Sequence, residues 1–183
     1  MAEGGDAAAA GLIADARRIM IIGPPGAGKS TLALVLSVVL GLPAVHLDQM
    51  FWQPGWVPRD GAAFAALLGA AQAQPCWIME GNYARSLPER LRLADLVIWL
   101  DYGRWICLFR VLWRLVRTYG RTRADMAPGC RERFDLEFLR YIWSFPRMER
   151  PRLVAAVEAD GGRAHVVMLH SSSQTARFLM SLT

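Results

Sequence analysis

The chain has 183 residues, 54% of them hydrophobic, and its 21 Lys and Arg against 16 Asp and Glu leave a net charge of +5. That length fits one domain with a sizeable core, and the charge suits a phosphate-bearing ligand or nucleic acid. No uncharged apolar run reaches the ~18 residues of a membrane span, so no membrane partner is expected, and Cys76, Cys107 and Cys130 lack metal-ligand spacing and read as reduced thiols of a cytoplasmic protein.

Residues 1–17 are small and acidic to neutral, with Glu3, Asp6 and no early basic residue. This argues against a secretory signal and predicts a flexible tail or short helix. Residues 18–23 form a β-branched apolar run that predicts a buried parallel strand, and residues 31–40 predict a buried helix stopped by Gly41 and Pro43. Between them lie Gly23, Pro24, Pro25, Gly26, Ala27, Gly28, Lys29, Ser30 and Thr31, which fit the pattern G-x-x-x-x-G-K-[ST]. Glycines let the backbone wrap closely around a polyphosphate. Loop amides and the start of the helix point partial positive charge at the anion. Lys29 is expected to meet the β- and γ-phosphates of ATP, and Ser30 to offer its hydroxyl to Mg²⁺.

A second strand over residues 44–47 ends at Asp48. A carboxylate there can orient or deprotonate an acceptor hydroxyl, bind an amine, or cap the next turn. His46 reads as a satisfied, half-buried histidine. Residues 49–75 begin with an aromatic, proline-broken stretch, in which Trp52 and Trp56 either stack on a ligand or bury the loop. An alanine-rich helix capped by Asp60 follows, ended by Pro75. The segment is expected to bind the acceptor.

A third strand over residues 76–79 ends at Glu80, where an acidic group can hold Mg²⁺ through water. Arg85 is a candidate phosphate clamp, and Ser86-Leu87-Pro88-Glu89 predicts a capping box. A fourth strand covers residues 96–100. In the helix after it, Arg110, Arg114, Arg117 and Arg121 step by 4, 3 and 4, with Trp105, Phe109, Leu112 and Val116 opposite. No acid follows Asp101 in that helix, which favours phosphate contact for part of the stripe, Arg110 and Arg114, over a wholly solvated basic face. Residues 121–134 are polar and predict a mobile lid, whose Arg123 and Arg133 neutralise charge in phosphoryl transfer. Helices over 135–143 (ending before Pro146), 152–160 and 175–182, and a strand over 165–169, complete an α/β pattern. Five buried strands alternating with helices predict one domain over residues 18–183, a parallel sheet covered on both faces. Its ligands should lie beyond the carboxyl ends of the strands.

The glycine loop, His46-Leu47-Asp48 with Phe51-Trp52 and Gly55-Trp56, Trp77 through Tyr83, Arg121 through Met126, and Cys130 through Asp135 together resemble the bacterial DNA topology modulation proteins. These look like members of the adenylate kinase-like group of P-loop kinases, and the resemblance spans residues 18–182. It implies a P-loop NTPase fold with sheet order 2-3-1-4-5, a nucleoside-phosphate-binding segment after strand two and an arginine-rich lid after strand four. Glu80 departs from the Asp usual in that family, adding one methylene.

The chain is thus expected to bind ATP and Mg²⁺ on residues 23–31. It would transfer the γ-phosphate to a nucleotide or other small-molecule acceptor near Asp48, Trp52, Glu80 and Arg85, as a monomer or homodimer. Two readings remain beside it: a nucleotide-dependent regulator that binds DNA through the arginine stripe, and a nucleotide-binding structural partner.

Overall fold

Apolar residues on both faces of one short strand set the architecture. In the computed structural model, which describes residues 11–13 and 15–182, β1 (Arg18–Ile22) is the central strand of a five-stranded parallel sheet. It pairs on one side with β5 (Trp77–Glu80) and on the other with β6 (Leu96–Leu100). The outer strands are β2 (Ala44–His46) beside β5 and β7 (His165–Leu169) beside β6. The spatial order β2-β5-β1-β6-β7 is the expected 2-3-1-4-5 when the sheet strands are counted alone. Successive residues of β1 face opposite layers. Ile19 and Ile21 join a core with Leu36 of α1 (Lys29–Leu40), Cys107 of α5 (Arg104–Thr118), Ile142 of α6 (Leu136–Met148) and Phe178 of α8 (Ser172–Met180). Met20 and Ile22 join a second core with Leu68 of α3 (Gly61–Gln72), Leu91 of α4 (Leu87–Leu93) and Leu153 of α7 (Arg150–Ala159). Asp60 caps α3 by accepting from the amides of Ala62 and Ala63, a contact worth about 1 kcal/mol.

Several sequence expectations are corrected. β2 stops at His46, and the chain turns into the short helix α2 (Leu47–Phe51), so Asp48 lies in a first helical turn rather than at a strand end. Residues 1–10 and 14 of the expected tail lie outside the described residues; residues 11–13 and 15 are helical, and Ile13 and Ala16 are buried in the core. α1 is not buried all round, since Leu34, Val35, Val38 and Val39 are exposed. β7 is an edge strand with Val166 and Met168 exposed, so the sheet is not covered on both faces there. The capping box at Ser86 does not form: its hydroxyl donates to the Tyr83 carbonyl and accepts from Arg90 Nε instead. α6 continues through Pro146 to Met148. A proline one turn from the helix end removes a single hydrogen bond, and buried Ile142 and Phe145 hold that turn on the core.

α5 turns part of its arginine stripe inward, as the lack of an acid in that helix favoured for Arg110 and Arg114. Its apolar stripe points outward, with Trp105 70% and Val116 77% exposed, while Cys107 and Val111 face the core. Arg110 and Arg114 turn inward, where they find partners, which is the condition for placing a guanidinium in the interior. The stripe therefore does not present one continuous basic face.

Residues 121–134 are also more structured than their polarity predicts. Thr122 and Arg131 bridge antiparallel, and Met126, Ala127 and Cys130 form a small core against Trp52 and Trp56. Those tryptophans lie around the two-stranded ribbon of β3 (Trp52–Gln53) and β4 (Val57–Pro58). Gln49 Nε2 donates to the Ala124 carbonyl, and Trp56 Nε1 to that of Arg131. The two segments expected to form lid and acceptor site are packed against each other.

Candidate active site

The loop between β1 and α1 needs its glycines for space as well as for dihedral freedom. Gly23 has φ 138°, and a Cβ there would sit 2.3 Å from the Leu100 carbonyl oxygen. Gly26 has φ 82°, and its Cβ would fall 2.5 Å from the Cys107 carbonyl oxygen. The loop is thus wedged between β6 and α5, and only glycine permits the approach. Lys29 Nζ donates to the carbonyls of Gly23 at 3.0 Å and Pro24 at 3.1 Å. Burial lowers its pKa, opposed by the charges of Glu80 and Asp48. A partly buried ammonium held by two neutral carbonyls, at the start of a helix that opens on the same cavity, is fitted to a polyanion.

Glu80 closes β5 beside the loop. Its Oε1 accepts from Ser30 Oγ and lies 3.0 Å from His46 Nδ1. The Glu80 carboxylate thus touches Ser30 directly, at 3.0 Å. The hydrogen bond to Glu80 raises the pKa of His46, against the opposing effect of burial. Ser30 and Glu80 are the side chains that would hold Mg²⁺. Among the described residues no cluster of three or more His, Cys, Asp or Glu surrounds a metal position.

Asp48 lies across the same cavity, of about 1060 Å³. Its Oδ1 accepts from the Tyr83 hydroxyl at 2.6 Å. Burial raises its pKa, reinforced by Glu80 and opposed by the Tyr83 hydrogen bond, Lys29 and Arg123. Tyr83 takes φ 37°, a left-handed backbone for a residue with a large side chain. Arg90, fully buried, holds that backbone in place. It donates to the carbonyls of Gly81, Asn82 and Tyr83. Asn82 then clasps Gly23 with two 3.0 Å hydrogen bonds, accepting from its amide and donating to its carbonyl. A single chain of contacts, Arg90 to Asn82 to Gly23, thereby joins the Asp48 side of the cavity to the phosphate loop. Replacing Arg90 with methionine keeps bulk but strips three carbonyls of their donor. Chemical denaturation should show a loss of about 3 kcal/mol.

Four arginines line the cavity, Arg110, Arg114, Arg123 and Arg133. Arg110 donates to the Ala27 carbonyl at 2.8 Å and to Ser172 Oγ at 2.7 Å. Arg123 lies 2.7 Å from Glu132 and 2.9 Å from Asp125; Arg114 lies 3.5 Å from Glu132. Burial, and then the charge of Arg123, lower the Arg114 pKa. The two contacts with Glu132 are close in distance but not aligned as hydrogen bonds, so Nε of both Arg114 and Arg123 is buried without an acceptor.

Residues 25–31, Asp48, Trp52, Trp56, Glu80, Arg110, Arg114, Arg123 and Arg133 all line this cavity, with Gly23 and Pro24 behind Lys29. Arg85 does not; it is exposed and outside the lining. Sequence reasoning gave no role to Asn82, Tyr83, Arg90, Ser172 or Thr175. Asn82 and Tyr83 come two and three residues after the end of β5 in a parallel sheet, a position that marks them as ligand-side residues. Nothing in the sequence distinguishes Arg90 from its exposed neighbour Arg92.

No family model matches the chain, and no curated protein is similar to it in sequence. Its fold is that of solved kinases. It is similar to a shikimate kinase from Acinetobacter baumannii in complex with shikimate, with TM-score 0.58, 15% identity and 94% of each chain covered. A shikimate kinase from Bacteroides thetaiotaomicron gives TM-score 0.54 and 16% identity over 91% of this chain and 96% of that one. A gluconokinase from Sinorhizobium meliloti 1021 gives TM-score 0.50 and 15% identity over 91% of each. At these identities the likeness is one of fold.

Proposed function

We propose that the chain is an ATP- and Mg²⁺-dependent kinase that phosphorylates a hydroxyl of a small molecule. The observation that carries this reading is the placement of the partly buried loop ammonium of Lys29 and the partly buried carboxylate of Asp48 in one cavity lined by inward arginines. ATP would lie on residues 23–31, with Mg²⁺ at Ser30 and Glu80. The acceptor would lie against Asp48, with residues 49–75 around it and residues 121–134 as lid. Asp48 Oδ1 is committed to Tyr83, which leaves Oδ2 for the acceptor hydroxyl. As the acceptor oxygen bonds to the γ-phosphorus, its proton passes to Asp48 and ADP leaves. Arg114 and Arg123 would meet the transferring phosphoryl group, and the closed lid would keep water from competing. The solved neighbours, named as kinases of shikimate and gluconate, support a polyhydroxylated acid or similar acceptor. The resemblance to DNA topology modulation proteins is kept as part of this reading, as is a cytoplasmic site of action where ATP and reduced thiols prevail. No observation favours the DNA-binding alternative, since half of the arginine stripe turns inward.

ADP release measured with ATP and a panel of sugar acids, polyols, nucleosides and nucleotides tests the proposal. One acceptor should raise turnover far above the water-only rate; a flat panel would defeat it. With that acceptor, Arg123→Ala and Arg133→Ala should each lower kcat more than they raise KM, by about tenfold to a hundredfold. Unchanged kcat in both would remove the lid from the chemistry.

A further inference from the structure

The outward face of α5 is apolar where a lone domain would carry charge. Trp105, Phe109, Leu112, Trp113 and Val116 are 70%, 68%, 43%, 51% and 77% exposed, and Ile106 is 42% exposed. Trp143 of α6 meets Trp105 edge to face at 4.9 Å and extends the same surface. Single exposed apolar residues are ordinary, but a contiguous face of this kind marks a surface that is covered in use.

The charges at its edge select what covers it. Arg104 lies over the Trp143 ring at 4.9 Å, and Arg117 over the Trp113 ring at 4.8 Å. Arg140 of α6 and Arg121 just beyond α5 are also exposed. α5 contains no acid, and Glu137 is the acid that α6 brings near this face. A second copy docked here about a two-fold axis would set one arginine rim against another, with Glu137 the carboxylate that the two helices offer to offset them. A surface that is apolar below and densely anionic at its rim matches both features.

We propose that the α5–α6 face docks on an anionic lipid surface, with α5 lying in the plane of the headgroups. Phe109, Val116 and Leu112 would enter the acyl boundary, and the three indoles would sit at headgroup depth, where their amphipathic rings are favoured. Arg104 and Arg117 extend from the two flanks of the face and would reach lipid phosphates while their stems cover apolar surface. Arg110 and Arg114 lie on the opposite side of the helix in the cavity, so docking leaves the candidate active site unchanged. The inference stands apart from the kinase reading.

Co-sedimentation of the full chain with vesicles tests it, using phosphatidylcholine alone or with about a quarter phosphatidylserine. Partition onto the serine-containing vesicles should exceed that onto neutral ones by about tenfold, fall steeply with added salt, and shift tryptophan emission to the blue. The double substitution Trp105→Ser with Phe109→Ser should reduce partition by about tenfold or more with the melting temperature preserved. Arg104→Gln with Arg117→Gln should erase the preference for the anionic vesicles. Absence of partition by the wild-type chain overturns the proposal, as does equal partition onto both vesicle types. Sedimentation velocity supplies a third outcome: a wild-type dimer that Trp105→Ser with Phe109→Ser converts to monomer would show that a second copy covers this face, and would also overturn it.

Discussion

Lys29→Met is expected to abolish ATP binding, with turnover falling by about a thousandfold or more, while the ligand-free protein melts at the same temperature or higher. The two halves of this result have separate causes. The ammonium is partly buried, and that desolvation lowers its pKa. A lysine whose folded pKa lies below its unfolded value is one whose charged form the fold disfavours, so at neutral pH the charge opposes folding. Its partners without ligand are the carbonyls of Gly23 and Pro24, and methionine fills the same volume without that desolvation cost. Once ATP enters, the same charge faces phosphate oxygens and becomes a large favourable interaction. Thermal melting with and without Mg·ATP reads both effects. Wild type should gain melting temperature with nucleotide, and the variant should not. A full nucleotide-dependent rise in the variant would sink the assignment of residues 23–31.

The parts of this fold legible in sequence are those whose local pattern and global role agree. The run Arg18–Ile22 is apolar on both faces because the strand is covered on both, and the glycine loop follows it because the chain must turn tightly between β6 and α5. Alternation of strands and helices then gives the sheet order. The site was legible where residues sit at strand ends, as with Glu80, or in a dense motif, as with residues 23–31. It was not legible where tertiary contacts overrode local pattern. In α5 the lack of an acid pointed Arg110 and Arg114 toward a ligand, but the amphipathic pattern alone did not show that the apolar stripe would face outward while they find partners in the cavity. Ser86 has the spacing of a cap, but the buried guanidinium of Arg90 and the Tyr83 carbonyl take its hydroxyl. The composition of residues 121–134 hides Met126, Ala127 and Cys130, whose packing on Trp52 and Trp56 joins the lid to the acceptor segment.

Asp48→Asn is expected to cut turnover by about a hundredfold or more while leaving Mg·ATP binding intact. The same substitution should leave the protein as stable at neutral pH as before, or more stable. Asp48 makes no hydrogen bond that a cap would make; its partner is the Tyr83 hydroxyl, which asparagine can still engage through its own oxygen. Burial, aided by Glu80, raises the folded pKa above the ordinary value of 3.8. The sign follows from proton counting. Between 3.8 and the raised value the folded state binds more protons than the unfolded state, so stability falls as pH rises through that window and stays lowered above it. Asparagine lacks that titration, so the stability difference between variant and wild type should be largest near neutrality and shrink below the ordinary aspartate range. Turnover runs the other way. A base must be ionised, so wild-type kcat should rise with pH through the raised value, and residual activity in the variant should lose that limb. The fold thus holds a carboxylate where its charge is costly at rest, and the acceptor hydroxyl gives that charge a use. Melting temperature and pH–rate profile of this one variant separate the cases: activity within a few-fold of wild type, or a marked loss of melting temperature at neutral pH, would mean that Asp48 serves the structure instead.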